Sequence, residues 1–331
     1  MSTDTVFWMA SCTKLMTSIA AMQLVEQGRI GLDSADGLHS FLPELSQLMV
    51  LEEEEGGSLR LVKQEASITL RMLLTHTAGF GYSFSNEKLR RWYEPIVINE
   101  FDNRECEIFA QPLVNQPGTA WEYGINIDWA NLAHLHQRKD DGSIEPHENG
   151  HLLRASLIAS TEEDVQKTLN SGGAGLFSSP VEYCKIIAML LNQGKSPTTN
   201  KEILKVGTIK EMFSNQIPHL PDFARSPKPS CKPSLVRSAA EIYPQSGNPP
   251  QGWGLSFFLL LRPADTGRAA GTAWWSGLAN LIWWIDFDKG LGGMLASQVL
   301  PFGDPQVVKC QAEMEAAIYQ EISKLQSREA P

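Results

Sequence analysis

A long apolar run immediately after Ser11 constrains this chain more than any other segment. Residues Leu15–Val25 include no charged side chain, and Gly28 follows as a typical C-terminal stop, so the run predicts a buried helix. Ser11 and Lys14 stand three residues apart at its start, which places them on one helix face. A desolvated lysine beside a serine hydroxyl can hold or relay a proton, and this makes Ser11 a candidate nucleophile.

Two alternatives to Ser11 lie in the same sequence. A second Ser-x-x-Lys occurs at Ser85–Lys88, within a polar stretch that favours a solvated surface. Cys12 adjoins Ser11, but on a helix it points away from Lys14 because the two residues are two positions apart. Cys12 is therefore interpreted as a packing residue, the usual place of a free cysteine.

Composition narrows the class of protein. The 331 residues suffice for one large domain or two packed lobes, with 42% hydrophobic and 20% charged residues. The net charge of −10 argues against nucleic acid or an anionic membrane as partner, and no apolar tract reaches membrane-spanning length. Five widely spaced cysteines favour a reducing, cytoplasmic setting, and no secretory leader is expected before Ser11.

The order of predicted elements divides the chain into three parts. Residues 1–70 hold the Ser11 helix and the start of an α/β lobe, residues 71–250 are mainly helical, and residues 251–331 form antiparallel strands and a closing helix. The predicted elements, from a short strand to the closing helix, are Leu59–Lys63, helix Ile68–Leu74, strands Gly254–Leu261, Thr272–Ile285 and Leu291–Val299, and helix Gln306–Leu325.

Several other kinds of site are disfavoured. No Gly-x-Ser-x-Gly nucleophile elbow occurs, and Gly172–Gly175 lacks the ending of a phosphate loop, so it is interpreted as a tight turn. His134 and His136 have the wrong spacing for a zinc pair, and His76 is interpreted as a buried structural residue. No cofactor and no metal is expected.

A serine nucleophile without a catalytic histidine needs another base. A tyrosine can serve, because a nearby lysine cation stabilises its phenolate. Tyr123 is the best candidate, since it follows the turn-rich segment Asn115–Glu122 and precedes a predicted helix from Gly124. Its local sequence fits a buried packing tyrosine equally well.

The order of these segments resembles the class C β-lactamase-like serine hydrolases, and within them the family VIII carboxylesterases and the fungal transesterases that acylate polyketide alcohols. The resemblance implies an α+β fold of the β-lactamase/transpeptidase type, with an antiparallel sheet flanked by helices and a mainly helical lobe. It covers nearly the whole chain, through the segments Phe7–Lys14, Met22–Asp33, Leu73–Phe80, Pro117–Tyr123, Gly172–Ser179 and Trp274–Leu278.

The resemblance also implies roles for individual residues. Ser11 is the nucleophile, Lys14 its helix partner and Tyr123 the general base. The family's third motif, which lines the substrate pocket, corresponds to Trp275-Ser276-Gly277, and the backbone N–H groups of Ser11 and Leu278 would form the oxyanion hole.

Departures from the family pattern shift the expected substrate. A β-lactamase of this class has Tyr-x-Asn and Lys-Thr-Gly, where this chain has Tyr123-Gly124-Ile125 and Trp275-Ser276-Gly277. The amide and the cation that grip a lactam are replaced, so lactam hydrolysis should be weak. Trp275 suits a neutral small-molecule ester or thioester, with an acyl carrier protein as one candidate donor.

A second departure lies at the N-terminus. Family members have a helix and two strands before the nucleophile, whereas only ten residues precede Ser11 here. The first two strands of the sheet are therefore expected to be missing, which leaves an open sheet edge. An inactive relative with a binding role, or a weak β-lactamase, is the alternative to an esterase or acyltransferase.

Overall fold

A five-stranded antiparallel sheet from the C-terminal part of the chain organises the fold. The computed structural model describes residues 2–95, 111–124, 135–147, 151–153, 161–162, 171–227, 229–239 and 241–329. The strands of the sheet are β7 (Gln251–Trp253), β8 (Phe258–Leu260), β9 (Ala273–Gly277), β10 (Leu281–Asp286) and β11 (Leu291–Leu295). They lie in the order β11-β10-β9-β8-β7 across the sheet.

Further strands and several helices make up the rest of the described fold. The remaining described strands are β1 (Phe7–Trp8), β2 (Met49–Glu53), β3 (Leu59–Lys63), β4 (His136–Arg138), β5 (Ile144–Pro146), β6 (Phe177–Ser178) and β12 (Val299–Leu300). They form two strand pairs, β1-β6 and β2-β3, and one three-stranded sheet, β12-β4-β5. The described α-helices are α1 (Thr13–Glu26), α2 (Ala35–Phe41), α3 (Leu70–Leu74), α4 (Glu87–Tyr93), α5 (Pro180–Leu191), α6 (Val206–Met212) and α7 (Pro305–Glu329). None of the helices in these ranges has the length and apolar character needed to cross a bilayer.

The central strands are buried on both faces, which explains their continuous apolar sequence. Every residue of β9 and β10 is buried. In their register Trp283 lies opposite Trp275, and Trp284 lies opposite Trp274. Aromatic cross-strand pairs of this kind stabilise a sheet and define its register. The register also determines where β9 ends, and this end adjoins the predicted site.

The closing helix α7 is attached to the sheet by buried polar contacts. Arg268, in the loop before β9, donates to Glu315 at 2.5 Å, and both side chains are almost fully buried. Tyr319 donates its hydroxyl hydrogen to Asp286 at 2.9 Å. Because a buried charge is costly unless it is paired, these contacts define how α7 packs on the sheet.

The predicted strands of the final third are correct in region and wrong in detail. Gly254–Leu261 was expected to be one strand, but Gly254 to Phe257 forms the turn between β7 and β8. Thr272–Ile285 is likewise two strands, joined by a turn in which Asn280 has a φ of +61°. An apolar run cannot reveal a hairpin whose turn is itself buried, because the hydrophobic signal continues through it.

The two predicted helices at Ile68–Leu74 and Gln306–Leu325 are confirmed, although their end residues differ from the prediction. The closing helix is confirmed and runs from Pro305 to Glu329. The helix expected from Ile68 begins at Leu70, since Thr69 acts as its N-cap and accepts a hydrogen bond from the Met72 N–H. The strand Leu59–Lys63 is confirmed and pairs with β2.

One hydrophobic core includes residues from all three predicted parts of the chain. Trp8, Tyr183 and Trp283 belong to the same buried cluster, together with Leu15 of α1. The division of the chain into three parts at residues 70 and 250 stays a prediction. The core does establish that α1 is buried, with Lys14 in its first turn and Ser11 in the turn just before it.

Candidate active site

Ser11 lies in a tight turn at the start of α1. Residues Ala10–Cys12 form a 3-10 turn that leads directly into Thr13 of the helix. Ala10 has a φ of +44°, a left-handed conformation that is unusual for a residue with a side chain. The Thr13 hydroxyl donates to the Ala10 carbonyl at 2.5 Å and closes the turn. This geometry holds Ser11 half-buried at a helix N-terminus, where the backbone dipole favours negative charge.

Lys14 is buried directly beneath Ser11. Its side chain is only 1% exposed, and Nζ lies 3.5 Å from Ser11 Oγ. Nζ also donates to the Gly173 carbonyl at 2.9 Å and to the Tyr82 hydroxyl at 3.4 Å. The structure therefore brings Ser11 and Lys14 together as their spacing predicted.

Burial changes the acidity of Lys14. Removal from water disfavours the ammonium and lowers its pKa from 10.5 to about 7. The amine is thus able to gain or lose a proton near neutral pH. This is the property that a proton carrier next to a serine nucleophile requires.

Tyr123 reaches the same point from a loop. Its hydroxyl accepts the indole N–H of Trp275 at 2.8 Å, and the Ser11 side chain is near enough to act on its pKa. Lys14 Nζ lies 4.8 Å from the centre of its ring. The expectation that Lys14 keeps Tyr123 acidic is wrong for the resting site, because burial raises the Tyr123 pKa above its usual value although Ser11 and Trp275 act to lower it.

The end of β9 lies against the nucleophile turn. A Cβ atom added to Gly277 would lie 2.7 Å from the Met9 carbonyl oxygen and 3.3 Å from the Ala10 Cβ, so only glycine permits this approach. Leu278, which follows Gly277, is thereby held next to the Ser11 turn. Ser276 and Trp275 are almost entirely buried beside it. All the residues predicted from the third motif thus lie at the site.

The glycine cluster at 172–175 has a role that sequence reasoning missed. Besides the contact with Lys14, the Gly172 carbonyl accepts the Thr17 hydroxyl at 2.5 Å, and the Ala174 carbonyl accepts the indole N–H of Trp8. Met9 N–H donates to Leu176 O at 2.8 Å. The segment therefore holds the start of α1 through backbone carbonyls, and small residues allow that close approach.

An aromatic shell surrounds the Ser11 site. Tyr82, which sequence analysis did not single out, stacks on Phe84 with ring centres 4.6 Å apart and contacts Lys14. His76 is buried 4.6 Å from the Tyr123 ring, and its Nδ1 accepts the Gly124 N–H at 3.4 Å. Burial holds the His76 pKa well below its ordinary value, with the Lys14 charge adding to the effect. These contacts support the structural role expected of His76.

The competing motifs do not form a comparable site. Cys12 is fully buried, burial raises the pKa of its thiol, and its carbonyl accepts the Tyr183 hydroxyl at 2.8 Å. Lys88 was expected to be solvated; it is half-buried, and its ammonium donates to the carbonyls of Val114 at 2.6 Å and Leu51 at 3.3 Å. Ile125 and His134 lie outside the described residues. Within the described ranges, no group of three His, Cys, Asp or Glu side chains is placed to hold a metal ion.

Comparison with known proteins identifies the family. The β-lactamase family model matches residues 1–125. The acyltransferase calJ of Penicillium decumbens is 30% identical over 345 residues, which cover 92% of this chain and 78% of that protein. This chain belongs to the β-lactamase-related family. The lovastatin esterase of Penicillium rubens is a further relative, 29% identical over 97% of this chain and 86% of its own length.

A solved structure supports the same assignment. A mutant of simvastatin synthase (LovD) from Aspergillus terreus superposes with a TM-score of 0.74 at 25% identity, covering 98% of this chain and 83% of that one. The predicted β-lactamase/transpeptidase-like fold is confirmed. The predicted reaction class, ester hydrolysis or acyl transfer, is confirmed at the level of the family, whose named relatives are acyltransferases and an esterase.

Proposed function

We propose that this chain is a serine-dependent esterase or acyltransferase that works through an acyl-enzyme on Ser11. The observation that supports this most is the convergence of two proton-handling groups on one hydroxyl. Lys14 Nζ lies 3.5 Å from Ser11 Oγ, and the Tyr123 hydroxyl interacts with the Ser11 side chain. A serine alcohol becomes a useful nucleophile when an adjacent base takes its proton during attack.

Lys14 and Tyr123 act as a coupled base in this proposal. Above about pH 7 the pair holds one proton fewer than its fully protonated form, because burial brings the Lys14 pKa to about 7. That proton count fits either neutral Lys14 with a Tyr123 phenol, or Lys14 ammonium with a Tyr123 phenolate. Burial favours the first form at rest, since it separates no charge. Tyr123, as the general base, receives the Ser11 proton in the second form.

The two half-reactions balance through this pair. In the first, Ser11 Oγ bonds to the acyl carbon, its proton passes to the pair, and the ester C–O bond breaks as the leaving alcohol takes a proton back. In the second, water or an acceptor alcohol gives its proton to the pair and attacks the acyl carbon, and the bond from that carbon to Ser11 Oγ breaks as Oγ takes the proton back. The N–H groups of Ser11 and Leu278 stabilise the oxyanion in both steps. Hydrolase and transferase differ only in the acceptor.

The proposed substrates are small neutral esters or thioesters. Trp275 occupies the position of the lysine that would bind a carboxylate, so the site favours an uncharged acyl group over a lactam. The names of the relatives point to acyl transfer and ester cleavage on small molecules. An acyl carrier protein as donor and a cytoplasmic location stay predictions.

An ester assay with matched serine variants tests the proposal. Turnover of p-nitrophenyl butyrate should fall to the background rate in Ser11→Ala and persist in Ser85→Ala, which removes the serine of the second Ser-x-x-Lys. Turnover that survives Ser11→Ala would exclude Ser11 as nucleophile. Activity that a chelator abolishes would favour a metal-dependent enzyme instead.

Covalent labelling separates this function from the inactive alternative. A fluorophosphonate should add to the peptide that contains Ser11, at a rate that rises with pH through about 7. A folded sample that resists labelling would favour a binding protein. Nitrocefin should be hydrolysed much more slowly than the butyrate ester, and a faster rate would favour a β-lactamase.

A further inference from the structure

Trp275 presents its polar atom to Tyr123. Its side chain in β9 is 5% exposed, and Nε1 donates to Tyr123 Oη at 2.8 Å. The same hydroxyl interacts with the Ser11 side chain. The indole N–H therefore meets the atom that handles the Ser11 proton, and this contact differs from the substrate-binding role that the third motif suggested.

Packing fixes the direction of this N–H. The Trp253 ring meets Trp275 edge to face, with centres 4.7 Å apart and planes at 83°. The Tyr123 ring lies 5.0 Å away on another side. Trp275 also faces Trp283 across the sheet, in the paired strand β10. An indole held on several sides cannot rotate freely, so its donor is oriented before any substrate binds.

We propose that Trp275 is a positioning residue for Tyr123: its indole N–H holds the phenol oxygen at Ser11 and stabilises the negative charge that this oxygen bears as a phenolate. The inference rests on the proposed function. A neutral donor has a particular value here, because it stabilises an anion without adding a second buried cation beside Lys14. It also leaves the pocket without a charge that would attract carboxylates.

Tyr123 has few other groups that could supply this stabilisation. The titratable and charged groups that face it among the described residues are Lys14 and Cys12 from the nucleophile segment and His76 and Tyr82 from the loop after α3. His76 is neutral because burial lowers its pKa, and Cys12 is a protonated thiol because burial raises its pKa. Lys14 is thus the cationic partner, and Trp275 is the neutral donor from the sheet.

The chain offers a matched pair of variants for the test. Trp275→Phe removes the N–H and part of the ring. Trp274→Phe removes the same atoms from the neighbouring residue, whose indole N–H is buried and has no hydrogen-bond partner in the part of the chain that the structure describes. Both side chains are buried to a similar degree, so general effects of a lost ring should be alike.

We expect Trp275→Phe to lower kcat for p-nitrophenyl butyrate about tenfold to a hundredfold with little change in KM, as for loss of a hydrogen bond to a charged group. The fall should appear in the plateau above about pH 7 while the rising limb stays in place, because that limb follows Lys14 and the lost donor acts on the Tyr123 phenolate. Trp274→Phe should keep the plateau rate close to that of the wild type.

A third variant keeps the test valid if Trp275→Phe folds poorly. Incorporation of 3-benzothienylalanine at position 275 replaces the N–H by sulfur and keeps the ring shape, and it should reproduce the loss of kcat with KM and the rising limb unchanged. Wild-type kinetics in this variant, or equal losses of kcat in the two Phe variants, would overturn the role of Trp275. If the wild-type protein neither turns over the ester nor labels at Ser11, the proposed function fails and this inference fails with it. If the wild-type protein labels normally, only the inference is at stake.

Discussion

Lys14 links the stability of this protein to pH. The side chain is buried, and its pKa falls from 10.5, the value of a solvated lysine, to about 7. Between these two values the unfolded chain binds more protons than the native state, so stability rises with pH. At about 1.4 kcal/mol per pH unit, the native state is destabilised by about 5 kcal/mol below pH 7, and this cost disappears toward pH 10.5.

Lys14→Met isolates this effect. Methionine has a similar length and an adaptable apolar side chain that suits the buried space. The stability advantage of Lys14→Met over wild type should be larger at pH 6 than at pH 9 by about 3 kcal/mol, since most of the lysine cost has gone at the higher pH. Loss of the hydrogen bond to Gly173 weakens the variant equally at both pH values, so it cancels in the comparison.

Urea unfolding at pH 6 and pH 9, followed by tryptophan fluorescence, measures both free energies. Ser11→Ala is the control, because it removes the nucleophile, keeps Lys14, and should retain the pH dependence of the wild type. An advantage of Lys14→Met that is the same at pH 6 and pH 9 would refute the reasoning. In that case Lys14 would be solvated or paired with an anion, and it would not serve as a proton carrier near neutral pH.

Three further outcomes are expected. The value of kcat/KM for the butyrate ester should rise with pH through about 7 and then level off, as Lys14 loses its proton; a flat profile in stopped-flow or steady-state assays would contradict this. Gly277→Ala should lower ester turnover at least tenfold and stability by about 1–3 kcal/mol, because the new Cβ meets the Met9 carbonyl, as thermal unfolding beside a kinetic assay can show. Arg268→Met should lower the free energy of unfolding in urea by about 3–5 kcal/mol, because it leaves the buried Glu315 carboxylate unpaired. Replacing Glu315 by leucine as well should recover much of this loss, because no unpaired charge then stays buried.

Local sequence predicted the features that depend on short-range geometry. Ser11 and Lys14 share a face because helical spacing requires it. Helix α1 ends just before Gly28, whose φ of +66° is the left-handed conformation typical of a glycine after a helix. The closing helix followed from its repeating apolar face, of which Met314 and Ile318 pack on the core. The order of motifs then indicated the family, which the comparisons confirmed.

Features that depend on contacts between distant segments were missed. Lys88 lies in a polar stretch, yet its ammonium is bound by carbonyls of β2 and the 111–124 segment. The turn at Gly254 to Phe257 is buried, so its apolar residues looked like strand. In both cases the surroundings, and not the local sequence, determine the environment of the residue.

By itself, the sequence determined that α1 is buried, that a serine and a lysine stand at its start, and that a tryptophan replaces the lysine of the third motif. Only the tertiary structure decided the acidity of Lys14, which depends on the water excluded around it by Gly173, Tyr82 and Tyr123. It also decided that the Trp275 N–H faces Tyr123, because that contact joins residues 152 positions apart. Spacing along a helix is a property of the chain, whereas desolvation and hydrogen-bond direction are properties of the packed site.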